Sequence, residues 1–406
     1  MAHRQLTRLR ARYRLTPWWV RVLAVYAASR VVTTLILLAY AAAQPANAWT
    51  GASPGYADFA SMWDGHWYFI IAVAGYPSDL PVTDSGAIGE NAWAFMPVYP
   101  LLVRALMFLT GLPFDVLAVA VSVGAGAGAA LVFERLMRLV LPPHAVMFSV
   151  VLFCVAPLSP ILQVAYAESL HLLLLVSALS LLVRRRYVWM LPVVAVASLT
   201  RPSGLALALA LAVHVVVRWA RRRREPFPRG EAAAATGVAV FSGVMGFAWP
   251  ALAWLGTGRL TAYTDTELAW RAPYVGEQHL VPFAAWPQAA QWWFGRLGLP
   301  GDSPVGVLVL LLVVALFAAA LFTPAVRRLG VDLRIWVGSY ALYLLAVFFP
   351  QSSTFRLLVP LFPLLGVVAL PRSPWYRIAA VAVAIAGQVG WVHIAWWVDG
   401  YDWTPP

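Results

Sequence analysis

The chain has 406 residues, 62% of them hydrophobic and only 11% charged, with a mean hydropathy of +0.75; a soluble domain carries roughly 25% charged residues, so water is not the main solvent here. The formal charge of +12 comes from 29 basic residues, all arginine, and 22 of them lie in short clusters between apolar runs, which marks membrane topology and speaks against a nucleic-acid surface. A single cysteine, Cys154 in the apolar run VLFCVAPL, excludes an intrachain disulfide, a CxxC redox pair and a thiolate metal cluster, and reads as a packing residue.

Apolar runs near the roughly 20 residues needed to cross a bilayer recur from Trp18 to Val398. The pattern predicts an all-α polytopic transmembrane helix bundle, one membrane domain over 1–406, with eleven helices at about 18–43, 115–139, 144–163, 168–183, 187–201, 203–219, 233–256, 304–323, 334–350, 355–371 and 376–398. The first run is longer than the roughly 7–15 residues of a signal-peptide core, so it reads as an uncleaved helix. Placing every arginine cluster in the cytoplasm makes the N-terminus cytoplasmic and the C-terminus, VDGYDWTPP, extracytoplasmic. The segment 93–111, WAFMPVYPLLVRALMFLTG, breaks this alternation as a full span and is expected to be re-entrant or interfacial.

Two long loops then face outward: a first over 44–114, holding the re-entrant segment, and a second over 257–303. Thirteen of the seventeen carboxylates fall on that side, all but Glu134, Glu225, Glu231 and Asp332. Because acidic residues contribute little to orientation, this asymmetry is free to reflect chemistry. The small-residue run GAGAG, Gly124–Gly128, sits inside an apolar stretch without a preceding strand, so it reads as close helix packing and not a phosphate loop.

The most informative stretch is SMWDGHWYFIIAVAGYP, where Asp64 is flanked by Trp63, His66, Trp67 and Tyr68 at the membrane interface. An interfacial aromatic belt with one solvated acid accounts for it equally well; the functional reading makes Asp64 a general base toward a sugar hydroxyl. Further on, ENAWAFMPVYPLLVR supplies Glu90 and Asn91, with Pro97 and Pro100 bending the segment back, and QVAYAESL puts Tyr166 and Glu168 at a helix junction. Two arginines defy the topology trend, Arg201 in SLTRPSG and Arg356 in PQSSTFRLLVP. Outside arginines can snorkel to lipid headgroups, but two of them converging with Asp64 make a phosphate site, since the guanidinium fork donates paired, charge-assisted hydrogen bonds.

Arg30 lies near the middle of the first helix, where a charge needs a partner, with Glu168 or a headgroup as candidates. The D-x-E pair Asp265 and Glu267 in TDTE is a weak divalent-cation pattern. No histidine pair has metal-ligand spacing, and His171, His214 and His393 read as helix residues with local partners. Neither a metal site nor a cofactor is expected.

These residues carry a family resemblance. WDGHWYFIIAVAGYP, NAWAFMPVYPLL, APLSPILQVAYAESL and TRPSGL, four blocks in the same order, resemble the PIG-V-like mannosyltransferases, multi-spanning glycosyltransferases of the GT-C class, and the chain looks like an actinobacterial relative. The blocks cover the first half; residues 220–406 match mainly in helix pattern and in FRLLVPLFPL. In one departure, eukaryotic members carry a histidine where this chain has Trp67, while His66 falls one position earlier.

The resemblance implies a plasma-membrane enzyme with Asp64 as catalytic base on the extracytoplasmic side. It also implies inverting transfer of a sugar, mannose in the family, from a polyprenyl-phosphate donor to a glycolipid, polysaccharide or protein acceptor. Arg201 and Arg356 would then hold the donor phosphate, and Trp63, His66, Tyr68, Glu90, Asn91, Tyr166 and Glu168 would line the substrate site. Two alternatives stay open: a transporter or flippase for a lipid-linked saccharide, and another GT-C transferase acting as a protein O-mannosyl- or arabinosyltransferase.

Overall fold

The computed structural model describes residues 15–298, 300 and 303–398. The described chain is all-α, and its β content is a single isolated bridge between Val82 and Ile88. Its helices of eight residues or more are α1 (Trp18–Ala43), α2 (Asp64–Ala74), α3 (Val98–Thr110), α4 (Phe114–Val140), α5 (Pro143–Val155), α6 (Glu168–Val183), α7 (Tyr187–Ser198), α8 (Gly204–Ala220), α9 (Arg229–Thr257), α10 (Ala262–Ala269), α11 (Ala285–Arg296), α12 (Val305–Ala320), α13 (Gly330–Val347) and α14 (Pro374–Trp391).

Five are long and apolar enough to cross a bilayer: α1, α4, α9, α13, and α14 with its π-helical extension to Trp396. Shorter apolar helices, α5 to α8 and α12 among them, occupy the other expected positions. Many of these side chains point away from the protein. Leu308, Leu311, Leu312 and Leu316 of α12, and Val240, Val244 and Phe247 of α9, are all exposed. A surface of this kind suits acyl chains and not water, and the fold is that of a polytopic bundle.

Two expected spans are interrupted. The span 144–163 stops as α5 at Val155 and resumes as a 3₁₀ turn, Ser159–Gln163, because Pro157 and Pro160 remove backbone donors. The span 355–371 is a chain of short pieces, Thr354–Leu357, Val359–Leu364 and Leu365–Val368, broken around Pro360 and Pro363. The segment 93–111 contains α3, which at 13 residues is too short to span alone and folds back onto α4 through Gly111 in the left-handed region. The expected N-terminal tail up to residue 14 and the C-terminal residues 399–406 lie outside the described residues.

The bundle has a basic end and a loop end. At the basic end the four acids that departed from the general asymmetry all have partners: Glu134 pairs with Arg138, Glu225 with Arg185 and Arg218, and Glu231 with Arg218, and Asp332 Oδ1 lies within hydrogen-bond distance of His214 Nδ1, at 2.7 Å. Between the ends, small residues set helix spacing. Gly126 of the GAGAG run faces Tyr26 of α1 and Gly128 faces Leu173 of α6. A Cβ on Gly204 would lie 2.8 Å from the Cα of Gly246, so α8 and α9 touch backbone to backbone.

The partner of Arg30 corrects the expectation. Neither Glu168 nor a headgroup is needed, because Nη2 donates to the Cys154 carbonyl at 2.7 Å and Nη1 to the Ser159 carbonyl at 2.7 Å. Interrupting α5 orphans carbonyls that a continuous helix would have satisfied, and the buried guanidinium takes two of them.

Candidate active site

Two of the outlying sequence blocks meet through their backbones at the loop end. The N–H of Ala165 donates to the Ala60 carbonyl at 2.8 Å, and the N–H of Asp64 donates to the Tyr166 hydroxyl at 3.2 Å. This alignment sets Asp64 in the first turn of α2 and Glu168 in the first turn of α6, where helix dipoles favour negative charge. Between Met62 and Asp64 the chain turns at Trp63, whose φ of 59° is unusual for a residue with a side chain and costs roughly 1–3 kcal/mol. Its indole Nε1–H donates to the Trp396 carbonyl at 3.2 Å, and the Trp396 indole donates to the Phe59 carbonyl at 2.9 Å, so the turn is held from both sides.

Arg201 comes from the break between α7 and α8, and Arg356 from the short helix Thr354–Leu357. Both enter the space between the two acids. Arg356 Nη1 ion-pairs with Asp64 Oδ2 and its Nε lies 3.5 Å from Glu168 Oε1. Arg201 Nη2 ion-pairs with Glu168 Oε1 and its Nη1 lies 3.9 Å from Asp64 Oδ2. The four residues thus form a closed ring of alternating charge with no net charge. Side-chain exposures of 13% for Asp64, 14% for Arg201, 11% for Arg356 and 7% for Glu168 leave the ring mostly buried with a small part of each group accessible. Both arginine contacts to Asp64 fall on Oδ2, and Oδ1 makes neither; Oε2 of Glu168 is buried without a hydrogen-bond partner.

The remaining candidates take different places. Tyr166 lies within the ring's support, with its ring 5.2 Å beneath the Arg356 guanidinium carbon. Tyr68 is fully buried against Phe95 and Tyr99, its hydroxyl without a hydrogen-bond partner. His66 packs edge-on against Trp49, and burial lowers its pKa, which keeps the imidazole neutral. Asn91 is buried as a scaffold: its carbonyl oxygen accepts from the Trp93 N–H at 3.0 Å and its amide donates to Thr266 Oγ1 at 2.8 Å. Glu90 is exposed and lies near Tyr274, away from the ring.

The Asn91–Thr266 bond pins the second long loop onto the first, and this brings in groups that the sequence pattern assigned otherwise. In α10 the residues of the D-x-E pair point apart, as positions two residues apart on a helix must. Asp265 ion-pairs with Arg259 at 2.8 Å, whereas Glu267 lies close enough to the ring to feel the charges of Arg201 and Asp64. Burial raises the Glu267 pKa above the ordinary carboxylate range; Arg271, a hydrogen bond from Tyr263 and Arg201 oppose that rise, and Asp64 adds to it. Glu267 is half-buried. The spacing Tyr263, Glu267, Arg271 along TAYTDTELAWRAPY is the helical signal that marks this face.

An apolar groove of about 1110 Å³ runs along the short helix that carries Arg356. Thr354, Phe355 and Leu358, the residues around Arg356, line it at one place, and Phe153, Gly390 and Trp391 line it elsewhere. Fold and site together define an all-α polytopic membrane protein whose loop end carries a four-charge ring beside an apolar groove.

No family model and no curated protein matches the chain. Among solved structures it is similar to a crystal structure of the Archaeoglobus fulgidus oligosaccharyltransferase in complex with Zn and sulfate. The sequence identity is 17% and the TM-score 0.35, over 89% of this chain and 48% of that chain. The chain therefore spans about half the length of that protein.

Proposed function

We propose that the protein is a membrane glycosyltransferase that moves a sugar, mannose by its family resemblance, from a polyprenyl-phosphate donor to an acceptor hydroxyl on the extracytoplasmic side. The observation that carries this reading is the short helix Thr354–Leu357, which carries Arg356, paired with Asp64 in the ring, while its Thr354 and Phe355 line the apolar groove. A ligand that satisfies both is an amphiphile with a long hydrocarbon tail and an anionic phosphate head. The tail lies in the groove, and the head exchanges with the carboxylates for the guanidinium forks of Arg201 and Arg356.

The ring explains how an arginine pair is kept ready without a ligand. Two guanidiniums alone would repel each other in a poorly solvated site, and Asp64 and Glu168 neutralise them. When the phosphate takes over Arg356, Asp64 is released beside the sugar. The acceptor oxygen attacks C1 of the sugar from the face opposite the phosphate, its proton passes to Asp64, and the C1–O bond to phosphate breaks with the electron pair leaving on the phosphate. One displacement inverts the anomeric centre. Arg201 and Arg356 stabilise the charge that develops on the leaving oxygen, and a phosphate leaves without needing a proton, so a single base suffices.

The test is transfer of radiolabelled mannose from polyprenyl-phosphate-mannose into membrane lipids, polymers and proteins by the native protein and by an equally expressed Asp64→Asn variant. Loss of a general base lowers turnover by about 10²–10⁴-fold, so the variant should fall to background. Purified, folded protein that moves no sugar to any acceptor pool and instead flips the donor across vesicles would replace the transferase with a transporter.

A further inference from the structure

Asp64 is held by the turn at Trp63 and by the Tyr166 hydroxyl, and both of these lean on one residue of the segment that follows α14. We infer that Trp396 is a positioning residue: buried behind the site, it fixes the Trp63 turn and the Tyr166 ring together and so sets where the Asp64 carboxylate and the Arg356 guanidinium stand. This rests on the transferase reading above, in which Asp64 is the base, and adds the residue that aims it.

Three contacts carry the inference. Trp396 is fully buried, and its one donor, the indole Nε1–H, is used on the Phe59 carbonyl at 2.9 Å. Its own carbonyl accepts from the Trp63 indole at 3.2 Å, so the segment 59–63 is clasped at either end. Its ring lies against that of Tyr166, with centroids 5.2 Å apart. Tyr166 in turn carries the Arg356 guanidinium over its face at 5.2 Å and accepts the Asp64 N–H at 3.2 Å. Trp396 thus reaches one acid and one arginine of the ring, each through a single intermediate.

The local backbone explains how a residue beyond a membrane helix is turned inward. After Trp391 the chain continues as a π-turn, Val392–Trp396, closed by the Trp397 N–H on the Val392 carbonyl at 2.8 Å. A π-turn takes one residue more than an α-turn, which swings the side chains beyond it round the axis, and such turns recur at functional sites. Here it leaves His393 and Ile394 exposed and puts Trp396 inside. Just beyond, the Gln44 amide clamps the chain to the end of α1, donating to the Val398 carbonyl at 2.5 Å and accepting from the Val398 N–H at 3.1 Å.

A tryptophan at φ 59° persists only where its surroundings over-determine it. Losing one of the two indole bonds lets the turn relax and carries Asp64, the next residue, with it. A displacement of about 1 Å is worth about 10²-fold in rate. The groove is lined by Trp391, Ile394 and Ala395 and not by Trp396, so donor binding should be spared.

The experiment compares full-length native protein with Trp396→Phe and Trp63→Phe, each of which deletes one indole N–H and keeps an aromatic ring. It measures mannose transfer from polyprenyl-phosphate-mannose to membrane acceptors, and hydrogen exchange over the segment 60–66 by mass spectrometry. Per folded molecule, counted by protection of the buried Cys154 from a thiol dye, kcat should fall about 10–100-fold with the donor KM nearly unchanged, and 60–66 should exchange faster than in native protein. A purely structural role would lower the folded fraction and leave kcat per folded molecule alone. Tyr40→Phe, which removes a 3.4 Å bond between α1 and α14 outside the turn, should leave both readouts at native values. If Trp396→Phe does not fold, Trp63→Phe, which spares the Phe59 bond, carries the test.

Native kcat per folded molecule in the phenylalanine variants overturns the inference, as does a loss of kcat with exchange over 60–66 unchanged. Faster exchange over 60–66 in the variants of a protein that in native form transfers no sugar leaves the hold on the turn standing and removes the transferase reading instead.

Discussion

Replacing Arg356 by lysine keeps the charge of the ring and removes its geometry. Arg356 reaches Asp64 through Nη1 and Glu168 through Nε at 3.5 Å, whereas a single ammonium can face only one acid closely. At an effective dielectric near 20, a pair at 3.5 Å attracts by about 5 kcal/mol and one at 3.9 Å by about 4 kcal/mol, much of it offset by desolvation. Arg356→Lys therefore retains most of the charge balance and should unfold within a few degrees of the native protein. Arg356→Met leaves Asp64 with only Arg201 at 3.9 Å and should lose about 3–5 kcal/mol, the cost of stranding one partner of a buried pair.

Catalysis should respond differently from stability. A lysine cannot hold a phosphate by two parallel N–H donors, and losing one preorganised donor to a developing oxyanion costs about 10²–10³ in kcat, so Arg356→Lys should be folded and nearly inactive. The protein supplies its own unfolding reporter: Cys154 is the only cysteine and is fully buried, so a thiol-reactive fluorogenic dye reads unfolding directly. Transfer by Arg356→Lys within tenfold of native, or an Arg356→Met variant as stable as native, would refute the view that the ring is both a structural closure and a phosphate site.

Further outcomes are expected elsewhere. Arg30→Met strands two buried carbonyls, at roughly 1–3 kcal/mol each. It should lower the unfolding midpoint and speed labelling of Cys154 in the folded protein, while unchanged labelling would remove Arg30 from its role at the α5 break. Gly390 lines the groove, and a Cβ added there meets nothing within 4 Å. Gly390→Trp should thus raise KM for a long-chain polyprenyl donor and leave a ten-carbon donor nearly unaffected; equal effects on both would place the tail elsewhere. Asp64→Asn should retain the native unfolding midpoint to within a few degrees if Arg356 keeps its contact to Glu168, which separates its loss of activity from loss of fold.

Much of this protein was legible in one dimension because a bilayer enforces a simple rule. Backbone polar groups must be satisfied within each segment, so apolar length and arginine position alone placed the helices, and α6 runs over the expected residues 168–183. The charges that broke the pattern were legible for the same reason: Asp64, Glu168, Arg201 and Arg356 stand where solvation is poor, and such residues need partners. Which partners they take was decided only in three dimensions. Arg30, equally anomalous in sequence, went to two backbone carbonyls because prolines had opened α5 nearby. Asp265 and Glu267, adjacent in pattern, were sent to opposite faces by the helix they share. The Arg356–Asp64 side of the ring, the Asp64–Tyr166 bond and the meeting of the two long loops at Asn91 and Thr266 join residues 292, 102 and 175 positions apart, and no local periodicity encodes a contact of that range.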